Sequence, residues 1–204
     1  MSKGPNIKLF DIETAPNLAH VWQFRKTNVG VNQIMEDGHI MSFAYKDLGD
    51  PYTYYCDNRT EDDKQITEQL CEMLDEADIV IGHNARRFDV GWVRGKAAIH
   101  GLRPPSPFKV IDTWVETKKH MYLPNYSLAY LSRVFGLTEK LTHKNFPGHS
   151  LWTECLKGNS KAWKEMEEYN RQDVITTEEL YEKIKPYVST HPNIGVYGNS
   201  DEPV

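Results

Sequence analysis

IKLFDIETAPN, residues 7–17, runs from an apolar segment directly into two carboxylates one residue apart, Asp11 and Glu13. Its β-branched, aliphatic and aromatic residues, bounded by turn formers, read as a strand. Side chains on a strand alternate faces, so Asp11 and Glu13 share one. Two like charges held that close are costly unless a cation or a shared proton lies between them. Taken alone the pair also has an ordinary reading, as a solvated strand edge or a surface turn.

Working outward, LAHVWQF, IMSFAYK and YTYYC have the same strand-like composition, with Pro, Gly, Asn and Asp between them, and predict an antiparallel meander. The pattern then changes. RTEDDKQITEQLCEMLDEAD carries Ile66, Leu70, Met73 and Leu74 at helical spacing, and DIVIGHN has the near-continuous apolar character of a buried strand. FDVGWVRGKAAIHG reads as a helix ended by Gly101, and PFKVIDT as another strand. SLAYLSRVFG and KAWKEMEEYNRQDVITTEELYEKIK place apolar residues three and four apart, with Pro186 closing the last helix. Strands first, then alternating helix and strand, then helices, fit one α/β domain over residues 1–185, a mixed sheet flanked by helices. Residues 186–204, polar and rich in turn formers, read as a C-terminal tail or a junction.

Bulk properties set limits on function. The 204-residue chain is 39% hydrophobic and 26% charged, which is enough apolar material for a core and argues against disorder. A formal net charge of −5 excludes a surface that is a nucleic-acid magnet throughout, although metal ions can offset clustered carboxylates. Cys56, Cys71 and Cys155 are odd in number and lack CxxC spacing, so they indicate neither a disulfide framework nor a zinc knuckle. The histidines, His83, His143 and His149 among them, lack the spacing of a zinc site. No signal-peptide pattern or membrane-length apolar run is present, so the expected location is the cytoplasm of the cell or of a host.

Two further stretches carry acids in telling places. GHNARRFDVGWV puts Asp89 at a helix start after a buried strand, where ligand crevices form in sheets with helical crossovers. An acid favoured by the helix dipole is the plain alternative. EEYNRQDVITTEEL puts Tyr169 and Asp173 four apart on one helix face, a spacing that also occurs without any function.

In combination, DIE at the end of the first strand, N-x-x-x-F-D after a later strand and Y-x-x-x-D in a C-terminal helix resemble the three exonuclease motifs of the DEDD superfamily. Tyr169, four before Asp173, places the resemblance in the DEDDy branch, which includes polymerase proofreading domains; the histidine branch would have His at position 168, where Glu168 stands. The resemblance spans roughly residues 6 to 185, and its VIDTW and YSLAYLSRVFGL segments look like the family's connecting region. It implies a ribonuclease H-like fold with a mixed five-stranded sheet and helices on both faces. It also implies two divalent cations, Mg²⁺ or Mn²⁺, which suit hard carboxylate donors. Asp11 would bridge both ions, Glu13 and Asp173 would complete the nucleophile-side ion, and Asp89 would hold the second. Tyr169 would orient the attacking water, since a phenol with an ordinary pKa near ~10 is a poor base at neutral pH.

The same resemblance makes Thr14, Ala15 and Asn84 candidate contacts to a terminal nucleotide, with a turn and a strand-end hydrogen bond as alternatives. Arg86, Arg87, Arg94 and Lys96 form a basic patch beside Asp89 that could track a phosphate backbone or be a solvated helix face. Trp114, Tyr122 and Tyr126 are candidate base-stacking platforms or core aromatics. Lys140 and Lys144 lie in a loop that could approach substrate. The leading expectation is a 3′-to-5′ exonuclease acting on the 3′ end of single-stranded DNA, similar in size to stand-alone bacteriophage exonucleases, with replication proteins as further partners. An RNA exonuclease that trims 3′ ends, and a catalytically silent nucleic-acid-binding module of a replication complex, are the alternatives.

Overall fold

The computed structural model describes residues 4–23, 25, 27–138 and 145–191. The strand that opens the chain, β1 (Ile7–Thr14), lies at the middle of a five-stranded sheet. Apolar residues on both of its faces make that position favourable: Phe10 and Ile12 enter one core cluster and Leu9 another, all at most 3% exposed. After Leu9, the next two side chains on its face are Asp11 and Glu13.

A short ribbon, β2 (Leu18–Ala19) with β3 (Ile34–Glu36), interrupts the sheet before β4 (Ile40–Asp47) and β5 (Tyr54–Asp57). LAHVWQF therefore does not form a strand of the main sheet. Among its described residues only Leu18 and Ala19 form a strand, and they pair with β3. The reason is spatial: β1 is hydrogen-bonded on one edge to β4 and on the other to β6 (Ile79–Gly82), so no edge is open to a further strand. The meander that does form is β1, β4 and β5, antiparallel throughout.

Helix α1 (Lys64–Asp75) connects β5 to β6, and α2 (Asp89–Ile99) connects β6 to β7 (Lys109–Asp112). The sheet order is β5-β4-β1-β6-β7, with β1, β6 and β7 mutually parallel. Their C-terminal ends consequently open on one edge, the usual position of a ligand crevice in such sheets. One sheet face packs Phe10, Ile12, Phe43 and Val80 against α1 and α2. The other packs Leu9, Ala44, Ile79, Ile81 and Ile111 against the long C-terminal helix. The mixed sheet with helices on both faces is thus the expected architecture.

Among the described residues four more α-helices follow: α3 (Thr113–His120), α4 (Leu128–Phe135), α5 (Ser150–Leu156) and α6 (Ser160–Ile184). α4 is delimited by local signals, Ser127 accepting from Tyr130 N at its start and Gly136 at φ 66° at its end. Helix α6 buries Met166, Tyr169, Asn170, Asp173, Val174, Thr177 and Tyr181 at three- and four-residue steps, which lays one continuous stripe on the sheet. α2 is pinned from its far end by Asp63, whose carboxylate accepts from Ile40 N at 2.9 Å, Lys96 Nζ at 3.0 Å and His100 Nε2 at 2.6 Å. Among the described residues no helix is long and apolar enough to cross a membrane. Lys140, His143 and Lys144, and the tail from residue 192 on, lie outside the described residues.

Candidate active site

The site forms where the face of β1 that carries Leu9 meets α6. Carboxylate oxygens of Asp11, Glu13 and Asp173 all lie within 4.8 Å of one another. Strand alternation supplies the first two and the buried stripe of α6 the third, so residues from opposite ends of the domain meet because β1 and α6 pack directly. Asp11 is held from the same helix: Asn170 Nδ2 donates to its Oδ2 at 2.7 Å and to its backbone oxygen at 3.1 Å, while Ser42 donates to Asn170 Oδ1 at 3.1 Å. Trp152 Nε1 donates to Glu13 Oε2 at 2.9 Å.

Tyr169 stands one turn before Asp173, 7% exposed. Burial is the main cause that holds its phenol proton far more tightly than in water, and the carboxylates of Asp173, Glu13 and Asp11 add to it. The hydroxyl is therefore a donor and not a base at any physiological pH. That agrees with an orienting role for Tyr169.

Asp89 is placed differently from the other three acids. It is 2% exposed, and its Oδ1 accepts from Ile12 N at 2.9 Å, tying the first turn of α2 to the middle of β1. Among the described residues it is not part of the group within 4.8 Å. Burial raises its pKa to about 7, with the nearby charge of Asp112 adding to the effect and the Ile12 bond opposing it. A folded-state pKa above the unfolded one means that the folded protein binds the proton more tightly, so this contribution to stability is full at low pH and is lost as pH rises through about 7. Asp89→Asn keeps an acceptor for Ile12 and removes the titration. In EDTA the variant should melt a few degrees above wild type at pH 8, and the gap should narrow as pH falls below about 7 and close only near the unfolded carboxylate pKa of about 4. Parallel melting curves across that range would show that Asp89 does not carry the buried proton.

The turn between β6 and α2 depends on an acid that the sequence places merely within a connecting segment. Asp112, 2% exposed at the end of β7, accepts from Asn84 N at 2.9 Å and Trp114 N at 3.1 Å through Oδ1, and from Arg86 N at 2.9 Å through Oδ2. It also caps α3 by accepting from Val115 N. Asn84 has φ 63°, and among the described residues no other non-glycine has a positive φ. Asn tolerates that conformation better than most residues, which gives the Asn of N-x-x-x-F-D a backbone reason to be there. Its side chain still lines the cavity.

A cavity of about 1100 Å³ contains Asp11, Glu13, Tyr169 and Asp173 and extends along α2 past Phe88, Trp92 and Ile99. Gly91 and Gly95 line its floor, and a methyl group added at either would meet nothing within 4 Å, so the groove over α2 is open. Arg86, Arg87 and Lys96 also line it, but Arg86 donates to Val110 O at 3.1 Å and Lys96 is committed to Asp63. Arg94 is instead over the ring of Phe108. Thr14 lines an adjoining pocket with Phe88, His149 and Trp152, whereas Ala15 is 4% exposed and packs into the core cluster of Met41 and Tyr169. Of the aromatic candidates, Trp114 lines the cavity, Tyr126 spends its hydroxyl on Met121 O at 2.9 Å, and Tyr122 is fully exposed. His83 is taken up by Thr113 Oγ1 and Tyr126 O, both at 2.9 Å, a bracing role between β6 and the segment before α4.

The donor set suits a hard cation. All three converging ligands are carboxylates, and oxygens within 4.8 Å of one another are in reach of one hard cation, whose ligands at ~2.1 Å lie about 3.0 Å apart when adjacent and about 4.2 Å apart when opposite. Three like charges in a half-buried cluster are unfavourable without such an ion.

An acidic cluster on the central strand and last helix of a mixed sheet ordered β5-β4-β1-β6-β7 defines the ribonuclease H-like class. The family model described as the RNase_H superfamily matches residues 9–185, and the chain belongs to that superfamily. Among solved structures it resembles the family B DNA polymerase of the hyperthermophilic archaeon Pyrobaculum calidifontis, with a TM-score of 0.70 at 17% identity. That match covers 97% of this chain and 28% of the polymerase chain, so the chain spans less than a third of its neighbour's length. No curated protein matches it in sequence. Family and fold together point to nuclease chemistry.

Proposed function

We propose that the protein is a metal-dependent 3′-to-5′ exonuclease that hydrolyses the terminal phosphodiester of single-stranded DNA and releases nucleoside 5′-monophosphates. The convergence of Asp11, Glu13 and Asp173 beside Tyr169, in a cavity of about 1100 Å³, is the observation that carries this reading. Asp11, Glu13 and Asp173 would hold one Mg²⁺ or Mn²⁺, and Asp89 with Asp11 would hold a second. Bound there, such ions supply a nucleophile at neutral pH and neutralise charge on the phosphate oxygens.

The chain's own residues do the rest. Asn170 fixes the rotamer of Asp11, and the protonated hydroxyl of Tyr169, hydrogen-bonded to Asp173 in the metal-free site, would donate to water or phosphate oxygen once Asp173 holds a cation. Phe88, Trp92 and Trp114 offer apolar faces to unpaired bases, and Arg87 offers a cation to the backbone. Thr14 and Asn84, which line the cavities beside the acidic cluster, would touch the terminal nucleotide; Ala15, being buried, would act through its backbone.

The test is incubation with end-labelled single-stranded DNA, duplex DNA and RNA in Mg²⁺, Mn²⁺ or EDTA. Stepwise shortening from the 3′ end that EDTA stops, fastest on single-stranded DNA, is the expected result. Faster loss from RNA would transfer the reading to an RNA exonuclease, and binding without product in either metal would make the protein a silent nucleic-acid-binding module, with replication proteins as its partners in that case too. For Tyr169→Phe, which removes one donor and no metal ligand, kcat should fall about 10- to 1000-fold with little change in KM. An unchanged kcat would remove the hydroxyl from the reaction.

A further inference from the structure

Trp152 touches both halves of the site from a third element. Its Nε1–H donates to Glu13 Oε2 at 2.9 Å, and its ring meets Tyr169 edge to face with centroids 6.0 Å apart. Helix α5, which carries it, is itself fixed: Leu151 and Cys155 are at most 2% exposed and pack with Trp163, Met166 and Tyr169 of α6. Glu13 needs such a brace. It lies at a register shift in the β1–β4 pairing, between Glu13 and Thr14, and a glutamate has several rotatable bonds to fix.

We infer that Trp152 is a positioning residue of the metal centre, its indole N–H setting the direction from which Glu13 presents its carboxylate to a divalent cation and its ring setting the place of the Tyr169 phenol. An indole N–H is a donor only, so it accepts no alternative arrangement in which Glu13 turns away protonated and donates back. A neutral donor also orients the carboxylate without cancelling the charge that the cation requires, as the partners of metal ligands commonly do. A core-packing role would need the ring alone, and phenylalanine would satisfy it.

This inference rests on the metal-dependent reading above, and the experiment separates the two. The chain has five tryptophans, so a ¹⁵N-labelled sample gives five indole N–H signals, of which Trp152→Phe removes and thereby identifies one. On titration of wild type with Mg²⁺ that signal should shift saturably. In Trp152→Phe, Mn²⁺ affinity, read from the free-ion electron paramagnetic resonance signal, should weaken about 10- to 100-fold while the melting temperature in EDTA stays within a few degrees. An identified signal indifferent to Mg²⁺, or Mn²⁺ affinity in the variant within twofold of wild type, overturns the inference and leaves the metal centre standing. If Trp152→Phe does not fold, selective ¹⁵N-indole labelling with distance contacts to Tyr169 identifies the signal in wild type, and the Mg²⁺ titration decides alone. A wild-type protein that binds neither cation overturns the metal centre and the inference together.

Discussion

Asp11→Asn should lower the rate of phosphodiester cleavage at least about 1000-fold without lowering the protein's stability in EDTA. The two halves of this expectation have one cause. Asp11 is the carboxylate on the central strand that meets both Glu13 and Asp173, and asparagine at that position retains shape and an acceptor for Asn170 while losing the charge. Losing a ligand from a hard-cation site removes transition-state charge stabilisation, for which about 1.4 kcal/mol per tenfold is the conversion. In the metal-free protein the same change relieves repulsion among three clustered acids, so the melting temperature should hold or rise. Wild type should gain stability on adding Mn²⁺, in proportion to its occupancy, and Asp11→Asn should gain little. Single-turnover cleavage of labelled DNA and paired melts with and without Mn²⁺ check both halves. Cleavage within tenfold of wild type would take Asp11 out of the centre.

Asp112→Ala should cost about 3 kcal/mol or more, the largest stability effect expected of a single polar residue near the site. It would leave the backbone N–H groups of Asn84, Arg86, Trp114 and Val115 without their acceptor. A buried donor left unsatisfied costs about 1–3 kcal/mol, and loss of a helix cap about 1 kcal/mol, with partial relaxation reducing the sum. For a domain of this size that corresponds to roughly 6–12 °C in melting temperature. Cleavage should fall too, because the turn that Asp112 holds delivers Asn84, Arg87 and Asp89. Asp112→Asn, which keeps one acceptor oxygen, should lie between the two. A shift below about 2 °C for Asp112→Ala would mean that water replaces the carboxylate without loss.

The parts of this molecule that could be read from its sequence are those governed by local periodicity. The two-residue alternation of IKLFDIE was sufficient to place Asp11 and Glu13 on one face, and the four-residue step was sufficient to align Tyr169 with Asp173. The place of Asp89 at a helix start was equally legible, but its direction was not. Nothing local states that its carboxylate turns onto the backbone of Ile12, 77 residues away. The roles of Asn170, Trp152 and Asp112 are not legible locally for the same reason, since their partners are 159, 139 and 26 to 28 residues distant for the contacts that matter. Asn170 had a usable signal: it adjoins Tyr169 on a helix face already assigned to the site. LAHVWQF shows the reverse, a stretch with strand-like residues that cannot pair beside β1 because β4 and β6 already occupy both of its sides. Local propensity is a statement about the segment, and pairing is a statement about the sheet.

Asp11, Glu13 and Asp173 should form one cation site, and diffraction with Mn²⁺ and a nucleoside 5′-monophosphate addresses that directly. An anomalous peak within ~2.3 Å of an oxygen from each of the three, with the phosphate beside it and Tyr169 within hydrogen-bonding reach, is the expected result. Manganese bound elsewhere, or no peak between these carboxylates at millimolar metal, would contradict it.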